Sequence, residues 1–192
     1  MATYLVRHGE TGWSRAHRHT GRTDVALTAT GELQARRLGA LLAGHNFSRV
    51  LTSPRLRARR TAELAGFGQL ARPDPLLAEF DYGDYEGLTR PEILALRPRW
   101  RLWRDGCPGG ESPADVERRA RLLLESLEGG GGRDFLLFGH GHLLRAVAAV
   151  YTESSLELCA RLVLQVASVS VLGEEHQVKA IQSWNLTVAE PT

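Results

Sequence analysis

The sequence predicts an α/β fold in which helices cover both faces of a mainly parallel central sheet. Short apolar runs alternate with stretches whose apolar residues recur at helical spacing, which is typical of strands joined by crossover helices. The run from Asp134 to Phe138 is apolar after its first residue, as in a strand buried on both faces. The length of 192 residues is that of one domain. We therefore expect a single three-layer domain over 1–192.

Local signals divide the chain into strands and helices. Thr28 and Ser112 each precede an amphipathic stretch, and Asp115 completes a capping-box pattern with Ser112. Pro54 suits the first position of a helix, where no backbone donor is needed. We expect strands at 2–6, 49–52, 134–138, 169–172 and 178–181, and helices at 28–44, 54–66, 90–103, 112–127 and 143–151.

Several connections are long or rich in turn-forming residues. The polar segment 9–27 is long for a loop in a compact domain, and such loops are usually functional or disordered. The third predicted helix is expected to be interrupted at Pro98, with Trp100 and Trp103 covering an edge of the core. The last two strands should form a hairpin across 173–177. The remaining connections are the Pro-containing segment 72–75, the turn 81–87, the loop 107–111 and a flexible stop at 129–132.

Composition is that of an ordinary globular protein, and its basic charge is carried almost entirely by arginine. The formal net charge is +2, and 23 of the 24 basic residues are arginine, because Lys179 is the only lysine. Arginine clusters at 15–22, 55–60 and 97–104 could favour anionic small molecules, although a coding bias would also produce them. No nucleic-acid-binding module is recognised, so a nucleic-acid partner is not expected.

Cysteine usage and hydropathy favour a cytoplasmic protein. Cys107 and Cys159 fit no metal or redox spacing, which indicates free thiols in a reducing compartment. The beginning of the chain has no secretory signal, and no run is long enough to span a bilayer. We therefore expect no membrane partner.

Two His–Gly pairs follow predicted strands and mark the expected site. Arg7, His8 and Gly9 follow the first strand, and His140 and Gly141 follow the apolar strand that begins near position 134. In open α/β folds, ligands bind at the carboxyl edge of the sheet. Arginine matches phosphate oxygens, and neutral histidine can act as a nucleophile towards phosphorus. A buried structural histidine or a salt bridge is the alternative for an isolated pair, and the second His–Gly pair favours a site.

An ordered set of motifs runs along the chain between positions 5 and 141. The blocks are Leu5-Val6-Arg7-His8-Gly9-Glu10-Thr11, Thr20-Gly21-Arg22-Thr23-Asp24-Val25-Ala26-Leu27-Thr28, Thr52-Ser53-Pro54-Arg55-Leu56-Arg57-Ala58, Glu79-Phe80-Asp81-Tyr82-Gly83-Asp84-Tyr85-Glu86-Gly87, Pro108-Gly109-Gly110-Glu111-Ser112 and Gly139-His140-Gly141. This set resembles the histidine phosphatase superfamily, also called the phosphoglycerate-mutase-like family, whose hallmark is Arg-His-Gly after the first strand.

The resemblance implies a role for each catalytic residue. His8 would take the phosphoryl group as phosphohistidine, while Arg7, Arg57 and His140 would clamp the phosphoryl oxygens. Glu79 would act as general acid and then as base, in a scheme that needs no metal or cofactor. Judged without the family motif, the carboxylates of Glu10, Asp81, Asp84 and Glu86 compete with Glu79 for the acid role.

Five further residues are expected to contact phosphate or substrate, namely Ser14, Thr20, Gly21, Gly141 and His142. Mutases of the family commonly have Asn where Ser14 stands. The close spacing of His17 with His19, and of His140 with His142, invites a metal site, but no carboxylate or cysteine pattern accompanies either pair. We therefore expect no metal.

The same motifs resemble the branch of broad-specificity acid phosphatases and sugar-bisphosphate phosphatases. They imply a metal-independent phosphomonoesterase whose partner is a small phosphate monoester, with a homodimer as one option. A cofactor-dependent phosphoglycerate mutase is the alternative, although the segment after Gly87 is short and lacks the mutase's arginine pair. A non-catalytic phosphate-binding protein is disfavoured because all five catalytic residues are present.

Loops 12–24 and 88–112 would set specificity. A second anionic group could bind the basic loop through Arg15, His17, Arg18, His19 and Arg22, or that loop could simply be solvated.

Overall fold

One six-stranded sheet organises the molecule, which the computed structural model describes over residues 1–127 and 133–187. The strands are β1 (Thr3–Arg7), β2 (Phe47–Thr52), β3 (Ala71–Pro73), β4 (Asp134–Gly139), β5 (Ser168–Glu175) and β6 (Val178–Thr187). Their order is β3-β2-β4-β1-β5-β6. The first four strands run parallel, and β5 and β6 are antiparallel additions at one edge. The predicted mainly parallel α/β sheet is confirmed.

Helices cover both faces of this sheet, as predicted. Leu5 and Leu137 point to the face covered by α6 and α7, whereas Val6 and Phe138 point to the face covered by α2 and α3, because side chains alternate along a strand. The helices are α1 (Gly12–Arg15), α2 (Ala29–Leu42), α3 (Leu56–Ala62), α4 (Arg90–Leu96), α5 (Leu102–Asp105), α6 (Pro113–Leu127) and α7 (Gly141–Tyr151). A π-helical turn (Glu63–Phe67) continues α3, and 3-10 turns lie at Pro75–Leu77, Gly83–Tyr85 and Leu156–Ala160. None of the helices within the described ranges is long and apolar enough to cross a membrane.

The predicted helix caps are present. The Thr28 hydroxyl accepts the backbone N–H of Gly31 at 3.0 Å. Ser112 and Asp115 form the predicted capping box, in which each side chain accepts the other residue's backbone N–H, at 3.0 and 3.2 Å. Both helices therefore begin where their capping residues place them.

Several predicted boundaries need correction. Pro54 is not the first residue of α3, because the N–H of Ser53 still pairs with the carbonyl of Phe138 at 2.8 Å and the helix begins only at Leu56. The segment 72–75 is not only a connection, since its first two residues belong to the edge strand β3. That strand has three residues, one of them proline, and therefore shows no apolar pattern in the sequence. The helix α7 begins at Gly141 and not at 143.

Other expectations about connections fare better. The long segment 9–27 is largely irregular but contains α1. The third predicted helix is interrupted, as expected, into α4 and α5 on either side of Pro98. The closing hairpin forms from longer strands than predicted, with its turn at His176 and Gln177, whose φ angles of 49° and 66° are left-handed. The predicted flexible stop at 129–132 lies outside the described residues.

Three parallel strands deliver polar residues to one edge of the sheet. The N–H of His8 donates to the carbonyl of Gly139 at 3.1 Å, just beyond the last pair of β1 and β4. Ser53 follows β2 and is paired to β4 in the same way. The residues after β1, β2 and β4 therefore meet at the carboxyl edge, where α/β folds bind their ligands.

The loop after β1 packs closely on the start of α2, and this contact generates a stability prediction. Replacing Gly31 with Ala would favour an isolated helix by about 1 kcal/mol. In this fold a Cβ at Gly31 would collide with the carbonyl oxygen of Glu10, so we expect Gly31→Ala to lower the free energy of unfolding by roughly 1–3 kcal/mol. Urea unfolding measures the change.

Gly12→Ala is the matched control, because no atom lies within 4 Å of a Cβ built at Gly12 in α1. We expect its free energy of unfolding to equal or slightly exceed that of the wild type. A Gly31→Ala variant as stable as the wild type would show that the loop can move away from α2 at no cost.

Candidate active site

A cleft of about 230 Å³ opens at the carboxyl edge of the sheet. Seven of the residues predicted from the sequence line it: Arg7, His8, Ser14, Thr20, Glu79, Gly141 and His142. Five other residues complete the lining: His17, Arg18, His19, Tyr82 and Arg145. Of the remaining predicted residues, Arg57 and His140 are fully buried and lie behind the cleft, where the His140 ring is 5.2 Å from that of His8.

The His8 imidazole is held in the form that a nucleophile needs. Its Nδ1 lies 2.7 Å from the carbonyl oxygen of Gly9, and a carbonyl can only accept, so Nδ1 carries the proton. The lone pair therefore resides on Nε2. Burial lowers the pKa of His8 well below its usual value, and the charges of Arg57 and Arg7 lower the pKa further, so the ring stays neutral.

Arg57 fixes the tautomer of the second histidine. Its Nε donates to Nδ1 of His140 at 3.2 Å, which leaves the His140 proton on Nε2. That atom donates to the hydroxyl of Ser53 at 2.7 Å. Burial, followed by the charge of Arg57, lowers the pKa of His140 well below its usual value. His140 is therefore a neutral ring, and its two nitrogens are bonded to protein groups.

The Arg57 guanidinium also anchors the loop at one side of the cleft. Its terminal nitrogens donate to the carbonyls of Thr20 at 2.8 Å, Gly21 at 3.2 Å and Thr23 at 3.0 Å. On the other side of this loop, Glu86 accepts the N–H groups of Gly21 and Thr23 at 2.9–3.0 Å. Arg57 thus binds carbonyl groups of the loop, and Glu86 binds its N–H groups.

This arrangement does not bring Gly21 into the lining of the cleft. Its N–H is engaged by Glu86 and its carbonyl by Arg57, so neither group faces the space where a phosphate would sit. A Cβ at this position would lie 2.5 Å from the carbonyl oxygen of Phe80. The glycine is required by the close approach of the loop to the segment that carries Glu79.

Arg7 presents an unused donor at the base of the cleft. Its terminal nitrogen donates to the carbonyl of Leu164, but its Nε is buried and has no hydrogen-bond partner among the described residues. Burial lowers the pKa of Arg7 to about 10, so the group is still a cation at neutral pH. Gly141 packs beneath it, since a Cβ there would lie 3.2 Å from the guanidinium carbon.

Glu79 is held at the start of α7 by three backbone amides. One oxygen accepts the N–H groups of Phe80 and Leu143 at 2.8 and 2.9 Å, and the other accepts that of His142 at 3.1 Å. The first amides of a helix have no partner within the helix and readily bind a carboxylate. The carboxylate of Glu79, the one that the family motif indicates, thus lies in the cleft with a fixed orientation.

The competing carboxylates lie elsewhere. Glu10 accepts the hydroxyl of Thr28 at 2.7 Å, and Asp81 pairs with Arg22 at 2.5 Å. Neither Asp84 nor Glu86 lines the cleft. Among the described residues, Glu79 is the only carboxylate in its lining.

Three of the predicted contact residues have side chains that are already bonded within the protein. The Ser14 hydroxyl bonds to the N–H and the carbonyl of Thr11, at 2.9 and 3.1 Å, and so caps α1. The Thr20 hydroxyl donates to the carbonyl of Arg18 at 3.0 Å. Nδ1 of His142 lies 2.5 Å from the hydroxyl of Tyr82. Burial lowers the pKa of His142 well below its usual value.

Sequence reasoning missed two residues of the cleft as contacts. Tyr82 belongs to the motif at 79–87, in which the resemblance assigns a site role only to Glu79. Arg145 lies four residues after Gly141 on α7, and this spacing places it on the same helical face. That spacing was a usable signal. In the described parts of the chain, no three His, Cys, Asp or Glu residues are grouped so as to hold a metal ion.

Comparison with known proteins identifies relatives of the whole chain. Residues 3–187 match the family model described as histidine phosphatase superfamily, branch 1. An acid phosphatase of Mycobacterium tuberculosis is 44% identical over 95% of this chain and 91% of its own length. A sedoheptulose 1,7-bisphosphatase of Saccharomyces cerevisiae is 36% identical over 77% of this chain and 66% of its own. Proteins named as phosphoglycerate mutases also match, with identities of 31–36%.

The fold has solved counterparts. The structure of the Mycobacterium tuberculosis open reading frame Rv3214 superposes with a TM-score of 0.92, at 43% identity and with 97% of each chain covered. The resemblance read from the motifs is therefore confirmed by a match across the whole described fold. The chain is a phosphatase-type enzyme that belongs to the histidine phosphatase superfamily, branch 1.

Proposed function

We propose that this phosphatase hydrolyses small phosphorylated metabolites without a metal, through a phosphohistidine intermediate. The observation that carries the proposal is the state of His8, which lines the cleft. Its Nδ1–H donates a hydrogen bond to the carbonyl of Gly9, so the lone pair of Nε2 is available for attack. The relatives named as an acid phosphatase and a sugar bisphosphatase support the substrate class. Glu79 and Arg7 line the same cleft and supply the other groups that the reaction needs.

In the first step the Nε2 lone pair of His8 attacks phosphorus as the ester P–O bond breaks. The leaving oxygen takes a proton from the Glu79 carboxyl group. Phosphoryl transfer depends mainly on positioning and on cationic stabilisation of the equatorial oxygens. The unpartnered Nε of Arg7 supplies such a donor, and the buried Arg57 supplies positive charge behind His8.

In the second step the Glu79 carboxylate removes a proton from water. The water oxygen attacks phosphorus, the P–N bond breaks, and its electron pair returns to Nε2 of His8. Inorganic phosphate leaves, and Glu79 is again protonated. The same carboxyl group thus acts first as acid and then as base, which its fixed position on the amides of α7 supports.

A phosphoglycerate mutase is the second candidate, because proteins of that name match this chain. The short segment between Gly87 and Cys107 favours the phosphatase, since a small lid should admit water to the phosphoenzyme. Interconversion of isomeric phosphoglycerates with little free phosphate would establish the mutase instead.

A cytoplasmic location and a homodimer stay predictions. Two free buried thiols, Cys107 and Cys159, fit a reducing compartment.

Replacing the nucleophile should abolish turnover. We expect His8→Ala to lower phosphate release from 4-nitrophenyl phosphate by about 10⁴-fold or more, measured in excess chelator, while thermal unfolding stays cooperative. The wild type, quenched during turnover of a ³²P-labelled ester, should carry an acid-labile, base-stable label that the variant lacks.

The exposed His45 provides a control, and His45→Ala should become labelled as the wild type does. A variant that keeps near-wild-type release would identify another nucleophile, and loss of wild-type release in chelator would refute metal independence.

The acid role of Glu79 should depend on the leaving group. We expect Glu79→Gln to lower kcat/KM by about 10²–10⁴-fold for an alkyl phosphate such as glucitol 6-phosphate. For 4-nitrophenyl phosphate the fall should be far smaller, because 4-nitrophenolate leaves without a proton. kcat/KM reports the first phosphoryl transfer and is insensitive to the later base step.

Glu10→Gln is the matched control, since Glu10 is bonded to Thr28 outside the cleft. It should change neither value appreciably. Equal losses on both esters in Glu79→Gln would mean that the substitution disturbs the amides of α7, and that the proton comes from another group.

The protonation state of His8 generates a pH prediction. Burial and two arginines disfavour the imidazolium, so His8 should remain neutral as the pH falls through about 6.5, the ordinary histidine pKa. Its ¹⁵N signals at pH 6.0 should be those of the neutral Nδ1–H tautomer. The same histidine in the urea-unfolded chain is the control. A titration midpoint in the folded protein at or above the unfolded value would contradict this assignment.

A further inference from the structure

A second hollow lies beside the catalytic cleft. We call it the outer hollow; its volume is about 560 Å³. His19, His142 and Arg145 line both spaces, so the two are contiguous. The other walls come from α4, from the segment around α5, and from the last 3-10 turn with Arg161 directly after it. The residues used below are Arg90, Arg101, Trp103, Arg104, Glu157 and Arg161.

The charges around the outer hollow are strongly unbalanced. Five arginines line it, but Glu157 is the one acidic residue among its described lining residues. Arg104 is neutralised by Asp105 at 2.8 Å. Within the described ranges, no carboxylate lies within 4.0 Å of the other four: Arg90, Arg101, Arg145 and Arg161. Cations that converge on a concave surface concentrate anions there.

Arg145 stands where the two spaces join. Its Nε is buried and has no hydrogen-bond partner among the described residues. A buried donor without a partner costs free energy, and a bound anion would recover that cost. Arg145 is half-buried, whereas Arg90, Arg101 and Arg161 are exposed, so Arg145 is the best placed of the four to bond an anion away from bulk water.

Aromatic rings line the passage between the two spaces. The rings of His19 and His142 lie parallel with centroids 6.1 Å apart, and the half-buried Trp103 meets His142 edge-on at 5.6 Å. Ring faces offer apolar contact to a carbon skeleton, whereas the arginines beyond them offer donors. The passage therefore suits a molecule with a carbon chain between two charged ends.

We propose that the preferred substrate is a phosphate monoester with a second anionic group, which the outer hollow binds. The ester phosphate occupies the cleft at His8, the skeleton lies along Trp103, and the distal phosphate or carboxylate bonds to Arg101, Arg161 and Arg145. This inference rests on the proposed phosphatase function and adds the chemical class of its substrate.

The basic loop 15–22 is a poorer site for the second anion. Arg22 is paired with Asp81 at 2.5 Å. Arg18 donates to the carbonyl of Gly87 at 2.6 Å and lies 3.8 Å from a carboxylate oxygen of Glu92. Arg18 and Arg22 are thus bonded within the protein, and Arg15 lines neither the cleft nor the outer hollow.

Three open-chain six-carbon esters test the proposal directly. Glucitol 6-phosphate has one anionic group, 6-phosphogluconate adds a distal carboxylate, and glucitol 1,6-bisphosphate adds a distal phosphate. We expect kcat/KM for 6-phosphogluconate or for glucitol 1,6-bisphosphate to exceed that for glucitol 6-phosphate by about tenfold or more. The value for the bisphosphate is first divided by two, because either of its phosphates can react. The better of these two esters identifies the distal group as carboxylate or phosphate.

Charge-removing variants assign the effect to the outer hollow. The double variant Arg101→Gln with Arg161→Gln should lose about tenfold or more in kcat/KM on the preferred ester, and about twofold or less on glucitol 6-phosphate. The matched control is Arg118→Gln with Arg121→Gln, which removes two exposed charges from α6, where both are paired with local carboxylates. This control should keep the full preference.

The outcomes separate the two proposals. If 4-nitrophenyl phosphate is hydrolysed but all three esters react alike, the outer hollow does not select substrates and only this inference fails. Equal losses on every ester in the Arg101 and Arg161 variant would overturn it as well. If the wild type hydrolyses no ester, the proposed function fails, and the inference that rests on it fails with it.

Discussion

The buried guanidinium of Arg57 joins three parts of the molecule that the sequence keeps far apart. It donates to His140 after β4, and to the carbonyls of Thr20 and Thr23 in the long loop after β1, while it is itself carried by α3 after β2. The guanidinium itself is fully buried, and these bonds give its donors the partners that a buried polar group requires. Loss of this one side chain would therefore release the loop and free the second histidine to change its tautomer.

The same cation explains how two buried histidines can lie side by side. The rings of His8 and His140 are 5.2 Å apart, and both are kept neutral by burial and by the neighbouring arginines. Their protons are assigned in opposite ways, to Nδ1 in His8 and to Nε2 in His140, because one faces the carbonyl of Gly9 and the other faces Arg57. His8 thus keeps a lone pair on Nε2, whereas both nitrogens of His140 are engaged by protein groups.

The sequence predicts the sheet and the core of the site well, because both depend on strong local patterns. Apolar strands, capping residues and the motifs at strand ends are all visible in the order of residues. The short strand β3 escapes notice because its three residues include a proline and no apolar alternation. Arg145 and the role of Gly21 escape for another reason. Their contacts are tertiary. The order of residues does not reveal that the N–H of Gly21 is engaged by Glu86, and the four-residue spacing of Arg145 from Gly141 indicates a shared helical face but not the cavity that Arg145 lines.

Helix α7 carries contacts to both the cleft and the outer hollow. Its first-turn amides hold Glu79, Gly141 packs under Arg7, and Arg145, one turn later, reaches the outer hollow. An anion bound to Arg145 would therefore contact the same helix whose amides hold the Glu79 carboxylate. Binding energy gained at a distal group contributes to catalysis only if it positions the reacting atoms. Because a single helix carries all of these contacts, a group bound at its Arg145 is positioned relative to Glu79 by one rigid element.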